Sequence, residues 1–168
     1  MSTNYIIREA KDADWQQILD IYRYYWDKQF ENTPKDYEKI LSHLKEAFDI
    51  RQGYFNFWVV DNGEGEIYGW QSCLQVFHSP LRKGYNGEIS TYIRHDKQNG
   101  ILAVRLGNFV VRDTLPKSPL MVLWTFIDSQ NAPSQKLASA YGFKKVIDAL
   151  SNSEYYECDE LWILTFDK

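Results

Sequence analysis

Two cysteines in 168 residues are too few for a disulfide framework. Cys73 stands in an apolar run and Cys158 in a polar acidic stretch, so they also lack the close spacing of a structural zinc site. Both are expected to be free thiols. No segment approaches the roughly 20 apolar residues that span a bilayer, and the opening stretch MSTNYIIREAKDAD has no apolar core of a secretory signal. A cytoplasmic location is the expectation. Positive charge is scarce as well, with 19 Lys and Arg against 23 Asp and Glu, for a net charge of −4 and a pI of about 5.4. The phosphate-neutralising term of nucleic-acid binding and the polybasic run that anionic membranes attract are therefore both missing. His43 and His78 have no partners at ligand spacing, which argues against a metal site. Repeats and low-complexity segments are absent too. These exclusions leave a small-molecule partner and a length that suits one domain, residues 1–168, with the choice between monomer and homodimer open.

Aromatic residues, by contrast, are abundant: six Trp, twelve Tyr and nine Phe make 16% of the chain. Rings in a row on one sheet face would suit carbohydrate stacking. Most of these fall at helix or strand periodicity instead, which predicts core packing.

Tyr5 to Arg8 reads as a first strand, and Asp12 or Asp14 can cap the helix behind it. Trp15, Ile18, Leu19, Tyr22 and Trp26 recur on one helical face. A second helix is predicted from Thr33-Pro34, with Tyr37, Ile40, Leu41, Leu44 and Phe48 inward. Tyr54 to Val60 and Ile67 to Phe77 read as an antiparallel pair around the turn Asp61-Asn62-Gly63-Glu64-Gly65. A loop leads to a fourth strand, Glu88 to Arg94. Ile101 to Arg112 is weakly helical, with Leu102, Leu106 and Phe109 on one side. Strands at about 143–150 and 160–167 close the chain.

The segment LMVLWTFIDSQNAPSQKLASAYGF, residues 120–143, carries the most information. An apolar strand ends in Asp128, Ser129, Gln130 and Asn131, whose side chains compete for backbone hydrogen bonds. Pro133 suits a first helical turn, Ser134, Leu137, Ala138 and Tyr141 share one face, and Gly142 permits the left-handed turn before Phe143.

The pattern formed by Asn131, Ser134, Leu137, Tyr141, Gly142 and Phe143 resembles a motif of the GNAT superfamily of acyl-CoA-dependent N-acyltransferases. Upstream, Glu88-Ile89-Ser90-Thr91-Tyr92-Ile93 is similar to the E-x-S-x-Y-V strand of its phosphinothricin acetyltransferase-like branch. The resemblance implies an α+β GNAT fold with a central mixed, mostly antiparallel sheet of about seven strands flanked by helices. Its order would be β-α-α-β-β-β-α-β-α-β-β, with strands four and five parallel. It also implies acetyl-CoA as acyl donor.

Acyl transfer from a thioester needs a neutral amine, a stabilised oxyanion and a departing thiolate. An alkylamine holds its proton near neutral pH, so a base is required. The resemblance points to Glu88, which the residues alone would equally allow as a solvated carboxylate. Backbone amides from Tyr92 to Arg94 are the implied oxyanion donors. Together with Ile93, Lys97, Gln98, Asn99, Gly100 and Ile101 they form the implied cofactor-binding segment, which would hold a pyrophosphate at a helix start. Here the sequence departs from the family pattern: Lys97 replaces an arginine or glutamine, Leu102 stands where a residue without bulk is usual, and the loop is shorter. Arg94, Lys97 and Arg105 are the nearby cations.

Asn131 and Ser134 are further cofactor-binding candidates, Asn131 as a cap with its oxygen and a donor to the pantetheine arm with its nitrogen. The tyrosine that usually follows the motif's leucine to protonate the leaving thiol is Ala138 here. Tyr141, one turn onward, is the replacement candidate, with aromatic packing as its alternative. His95 reads as a solvated loop residue. Residues 22–34, with Asp27 or Glu31, are candidates for lining the acceptor site. The expected activity is direct transfer of an acetyl group to a primary amine of a small molecule, the alternative being a catalytically impaired ligand-binding or sensor module of the same fold.

Overall fold

The computed structural model describes residues 5–29, 37–75, 85–97, 100–147 and 160–167. Seven strands occur in the order β1-β2-β3-β4-β5-β7-β6. They are β1 (Ile6–Glu9), β2 (Phe57–Asp61), β3 (Ile67–Gln75), β4 (Asn86–Ile93), β5 (Val122–Ile127), β6 (Lys144–Ile147) and β7 (Glu160–Thr165). Pairing is antiparallel at β1–β2, β2–β3, β5–β7 and β6–β7, and parallel at β4–β5. The expected mixed sheet and its parallel step are both present. Packing divides the chain into two compact units, one of residues 1–72 and 91–106, the other of 73–90 and 107–168.

In the first unit, α1 (Trp15–Gln29) and α2 (Tyr37–Asp49) follow β1. Ile18, Leu19 and Ile21 of α1 and Leu41 and Phe48 of α2 are buried, as are Phe57 to Val60 and Trp70 on the strands. The α1 periodicity was legible because each apolar position recurs at helical spacing; the side chains of Trp26 and Asp27 lie outside the described residues, as do Glu31 and the predicted start at Thr33-Pro34. Asp14 closes a capping box at the 3-10 turn before α1, its Oδ2 accepting from the Lys11 N–H at 2.7 Å. It is buried and bound through Nη1 and Nη2 of Arg8 at 2.6 and 3.0 Å, while Arg8 also donates to Asp61. In the β2–β3 turn, Asp61 Oδ1 accepts from the N–H groups of Gly63 and Gly65, both with φ of +89°, a conformation open to glycine.

In the second unit, β5 leads to α4 (Ala132–Ala140), then β6 and β7. Its apolar interior includes Cys73, Ile89, Leu123, Ile127, Phe143, Leu161 and Trp162. Glu160, buried at the start of β7, accepts from Gln135, Lys145 and Trp162 at 3.1, 3.0 and 2.9 Å, tying α4 to the two last strands. The weak helix differs from its expected form. α3 (Ile101–Gly107), which up to Leu106 belongs to the first unit, continues as a π-helix over Asn108–Thr114 in the second. The wider turns advance the buried face, so Leu102, Leu106, Val110 and Val111 are interior while Phe109 is 37% exposed.

Candidate active site

The second unit holds the acyl-side candidates. The β4–β5 ladder pairs Asn86 with Val122, Gly87 with Leu123 and Glu88 with Trp124, and among the described residues no further pair follows, although both strands run on. Two parallel strands whose pairing stops after three residues part along their facing edges. Glu88 stands at the last pair. Burial raises its carboxyl pKa above the ordinary carboxylate value, although its side chain is of intermediate accessibility. Both follow from a group reached from one side and surrounded by protein on the others. On the opposite face, a Cβ at Gly87 would come within 2.5 Å of Cys73 Sγ. The Cys73 thiol is held protonated, its pKa raised by burial and then by the charge of Glu88, and it is no nucleophile.

Asn131 caps α4: its Oδ1 accepts from the Ser134 N–H at 3.2 Å, and the residue is exposed. The expected double use of this amide is thus half present. Ala138 is buried. Tyr141 is the C-cap of α4, and its ring lies where a Cβ at Gly107 would be, 2.6 Å away. Arg112 lies 5.2 Å from the ring centroid. Burial raises the Tyr141 hydroxyl pKa, partly offset by Arg112 and an Asn108 backbone hydrogen bond. Nine helical residues, about 14 Å at 1.5 Å each, separate this C-terminal position from the α4 start at Asn131.

The first unit holds the cofactor-side candidates. The Tyr92 ring packs against Trp70, Tyr22 and Tyr25 with centroid distances of 4.6, 5.3 and 5.6 Å. The Ile93 carbonyl accepts from the Tyr25 hydroxyl. Arg94 is committed. Its N–H donates to the Tyr68 carbonyl at 2.9 Å, and its guanidinium donates to both Asp96 oxygens at 2.7 and 3.0 Å and to Glu66 at 2.7 Å. The Asp96 hydrogen bond is the main cause of its raised pKa. Of the expected oxyanion amides, that of Arg94 is therefore spent within the protein. The guanidinium fastens the loop to the β2–β3 hairpin, with Lys97 4.9 Å from the Tyr68 ring centroid.

Gly100 has a φ of +66° and open space within 4 Å of its missing Cβ, and Ile101 next to it is 58% exposed. The start of α3 therefore has room beside Gly100, as a pyrophosphate requires. Leu102 does not crowd this place, because its side chain is fully buried in the core. Gln98 and Asn99 lie outside the described residues. His95 is exposed as expected, but stacks on Tyr24 at 3.9 Å and 13°.

The Arg94 clamp, the Tyr24 and Tyr25 contacts and the position of Trp124 beside Glu88 were missed from sequence. Their partners lie far apart in the chain, 68 residues in the case of Tyr25 and Ile93, and no local periodicity signals such a pairing.

A family model described as an acetyltransferase (GNAT) domain matches residues 4–144. No curated protein matches the chain. Among solved structures, a protein provisionally assigned as a phosphinothricin N-acetyltransferase is similar at 21% identity and a TM-score of 0.73, with 98% of this chain and 100% of that one covered. A Salmonella typhimurium protein, provisionally an acetyltransferase and solved with its cofactor acetyl-CoA, is similar at 21% identity and a TM-score of 0.71, covering 98% and 95%. The ribosomal-protein-alanine N-acetyltransferase of Brucella melitensis is similar at 21% and 0.69, covering 96% and 99%. At these identities the likeness is one of fold.

Proposed function

Because the chain belongs to the GNAT acetyltransferase family, we propose that it moves an acetyl group from acetyl-CoA to a primary amine of a small molecule by direct transfer, with Glu88 as general base. The observation that carries this reading is the short parallel ladder with Glu88 at its last pair. We read residues 1–168 as one acyltransferase domain, since the family match runs through both compact units.

Acetyl-CoA supplies the activated acyl group. Glu88 accepts the proton of the attacking amine as the C–N bond forms and the C–S bond breaks, and a carboxyl raised by burial is a stronger base than an exposed one. The backbone of Tyr92 and Ile93 is assigned to the carbonyl oxygen. Gly100 and Ile101, with Gln98 and Asn99, are assigned to the pyrophosphate, and Asn131 and Ser134 to the pantetheine arm. Arg94 and Lys97 serve this binding by holding the loop in place. A thiol with an ordinary pKa near 8.5 leaves readily as thiolate, so Tyr141 serves by packing α4 on Gly107. Cys73, buried and protonated, supports transfer without a covalent enzyme intermediate.

The experiment is CoA release from acetyl-CoA across a panel of small primary amines, with Glu88→Gln as the comparison. The variant should lose roughly 10²- to 10⁴-fold in kcat while acetyl-CoA binding is retained. Wild-type turnover by the glutamine variant would remove Glu88 from the mechanism, and binding of acetyl-CoA without any acylation would favour the sensor alternative.

A further inference from the structure

We propose that the indole N–H of Trp124 holds an oxygen atom through which the acceptor amine passes its proton to Glu88, making Trp124 a positioning residue for that base. The inference rests on Glu88 acting as the base.

Trp124 Nε1 is buried and has no hydrogen-bond partner among the described residues. Other indoles of the fold are provided for: Trp70 donates to the Ile18 carbonyl at 3.1 Å and Trp162 to Glu160 at 2.9 Å. Leaving such a buried donor unmet is costly, and an indole N–H only donates, so what meets it must bring a lone pair. Its place in the sheet says where that partner sits. Trp124 is directly opposite Glu88 in the parallel ladder, at the last β4–β5 pair among the described residues. Residues opposite one another in parallel strands project from the same face, about 4.8 Å apart. The two side chains are not bonded to each other. An oxygen that accepts from the indole and donates to the carboxylate satisfies both.

Such an oxygen also closes the proton balance. As the amine attacks, one N–H proton passes to the oxygen and one O–H proton passes from it to Glu88, so the oxygen ends as it began. Two sources fit this chemistry, a water molecule and a hydroxyl of the acceptor itself. Cys73 on β3 is the titratable group that interacts with Glu88 among the described residues, and it stays a neutral thiol because it is buried. The pH response near Glu88 is then that of the carboxyl alone.

The test is Trp124→Phe, which removes the N–H and keeps an aromatic ring. The stabilisation of the fold by acetyl-CoA should be unchanged. The value of kcat should fall about 10- to 100-fold, the range for a hydrogen bond to a charged group. The acid limb of the kcat–pH profile should also move up by roughly one pH unit, because the carboxylate loses the bonded oxygen that favours its charged form. A loss shared equally by plain alkylamines and hydroxyalkylamines identifies water. A raised KM confined to hydroxyalkylamines identifies the acceptor's hydroxyl. Trp124→Tyr controls for folding, since its hydroxyl restores a donor on an aromatic frame and should recover part of the rate. Wild-type kcat and an unmoved acid limb in Trp124→Phe, or a tyrosine variant as impaired as the phenylalanine one, would overturn the proposal even with Glu88→Gln impaired. Full turnover by Glu88→Gln would overturn the base itself, whatever Trp124 does.

Discussion

At the scale of single residues, Glu88 is where folding and activity pull apart. Burial holds its carboxyl above the pKa it has in the unfolded chain. Between those two values the folded state binds the proton more tightly, so the contribution of Glu88 to stability is full below the unfolded pKa and is lost as pH rises through the folded one. Glu88→Gln has nothing to ionise. The variant should therefore melt above wild type at pH 8, with the gain shrinking to nothing below about pH 4, near the unfolded carboxylate value. Thermal unfolding at several pH values measures this. Equal melting temperatures at pH 8 would mean that the carboxyl is as well solvated in the fold as outside it.

Among the elements, the junction of β1, the turn before α1 and the end of β2 depends on one guanidinium. Arg8 donates to Asp14 and Asp61, whose side chains are 7% and 9% exposed. Burial, the largest single influence, pushes both carboxyls up, but the Arg8 hydrogen bonds, the backbone N–H donors of Lys11 to Asp14 and of Gly63 and Gly65 to Asp61, and the Arg8 charge together outweigh it, and the pKa of each is lowered. Groups lowered in this way stabilise the fold above the unfolded pKa and cease to do so as pH falls through the folded one. Arg8→Met keeps most of the aliphatic stem and leaves two buried carboxylates without their cation. The expected cost at pH 7 is about 3–5 kcal/mol, narrowing as acid neutralises the aspartates, and denaturant titration at pH 7 and pH 4 reads both. The Arg94 cluster is different. Glu66 and Asp96 are nearly half exposed, at 44% and 46%, so its contribution is to the shape of the loop before α3 more than to stability.

For the whole molecule, the prediction concerns mass action. A ligand that binds only the folded state stabilises it by about 2.7 kcal/mol at a hundred times its Kd. For a chain of this length that corresponds to a rise of roughly 5–10 °C in melting temperature. Acetyl-CoA should produce such a shift, and CoA without its acetyl group a comparable one, because the contacts assigned to Gly100, Ile101 and Asn131 do not involve the acyl group. A flat melting curve with both would contradict a cofactor site at the start of α3. Among the described residues no helix is long and apolar enough to cross a membrane, and no cluster of His, Cys, Asp and Glu could hold a metal ion.

What the sequence alone determined is what local chemistry dictates. A continuous apolar run placed β5, the 3.6-residue period placed α1 and α4, and turn residues placed the β2–β3 hairpin. Asn131, Pro133 and Gly142 marked the ends of α4 because capping and left-handed turns are satisfied within a few residues. The order of these elements, with the motif at Glu88 and that at Asn131, was enough to indicate the family and its acetyl-CoA chemistry. Tertiary structure decided the rest. Whether Arg94 faces a phosphate or two carboxylates depends on Glu66, 28 residues away. Helical spacing grouped Leu102 with Leu106, but only the packing of α3 shows that this side is core and not a wall of the phosphate site. The π-helix that moved Phe109 outward likewise reflects packing winning over a weak local preference. The register that sets Trp124 beside Glu88 arises from pairing across 36 residues of chain, which no short-range signal encodes.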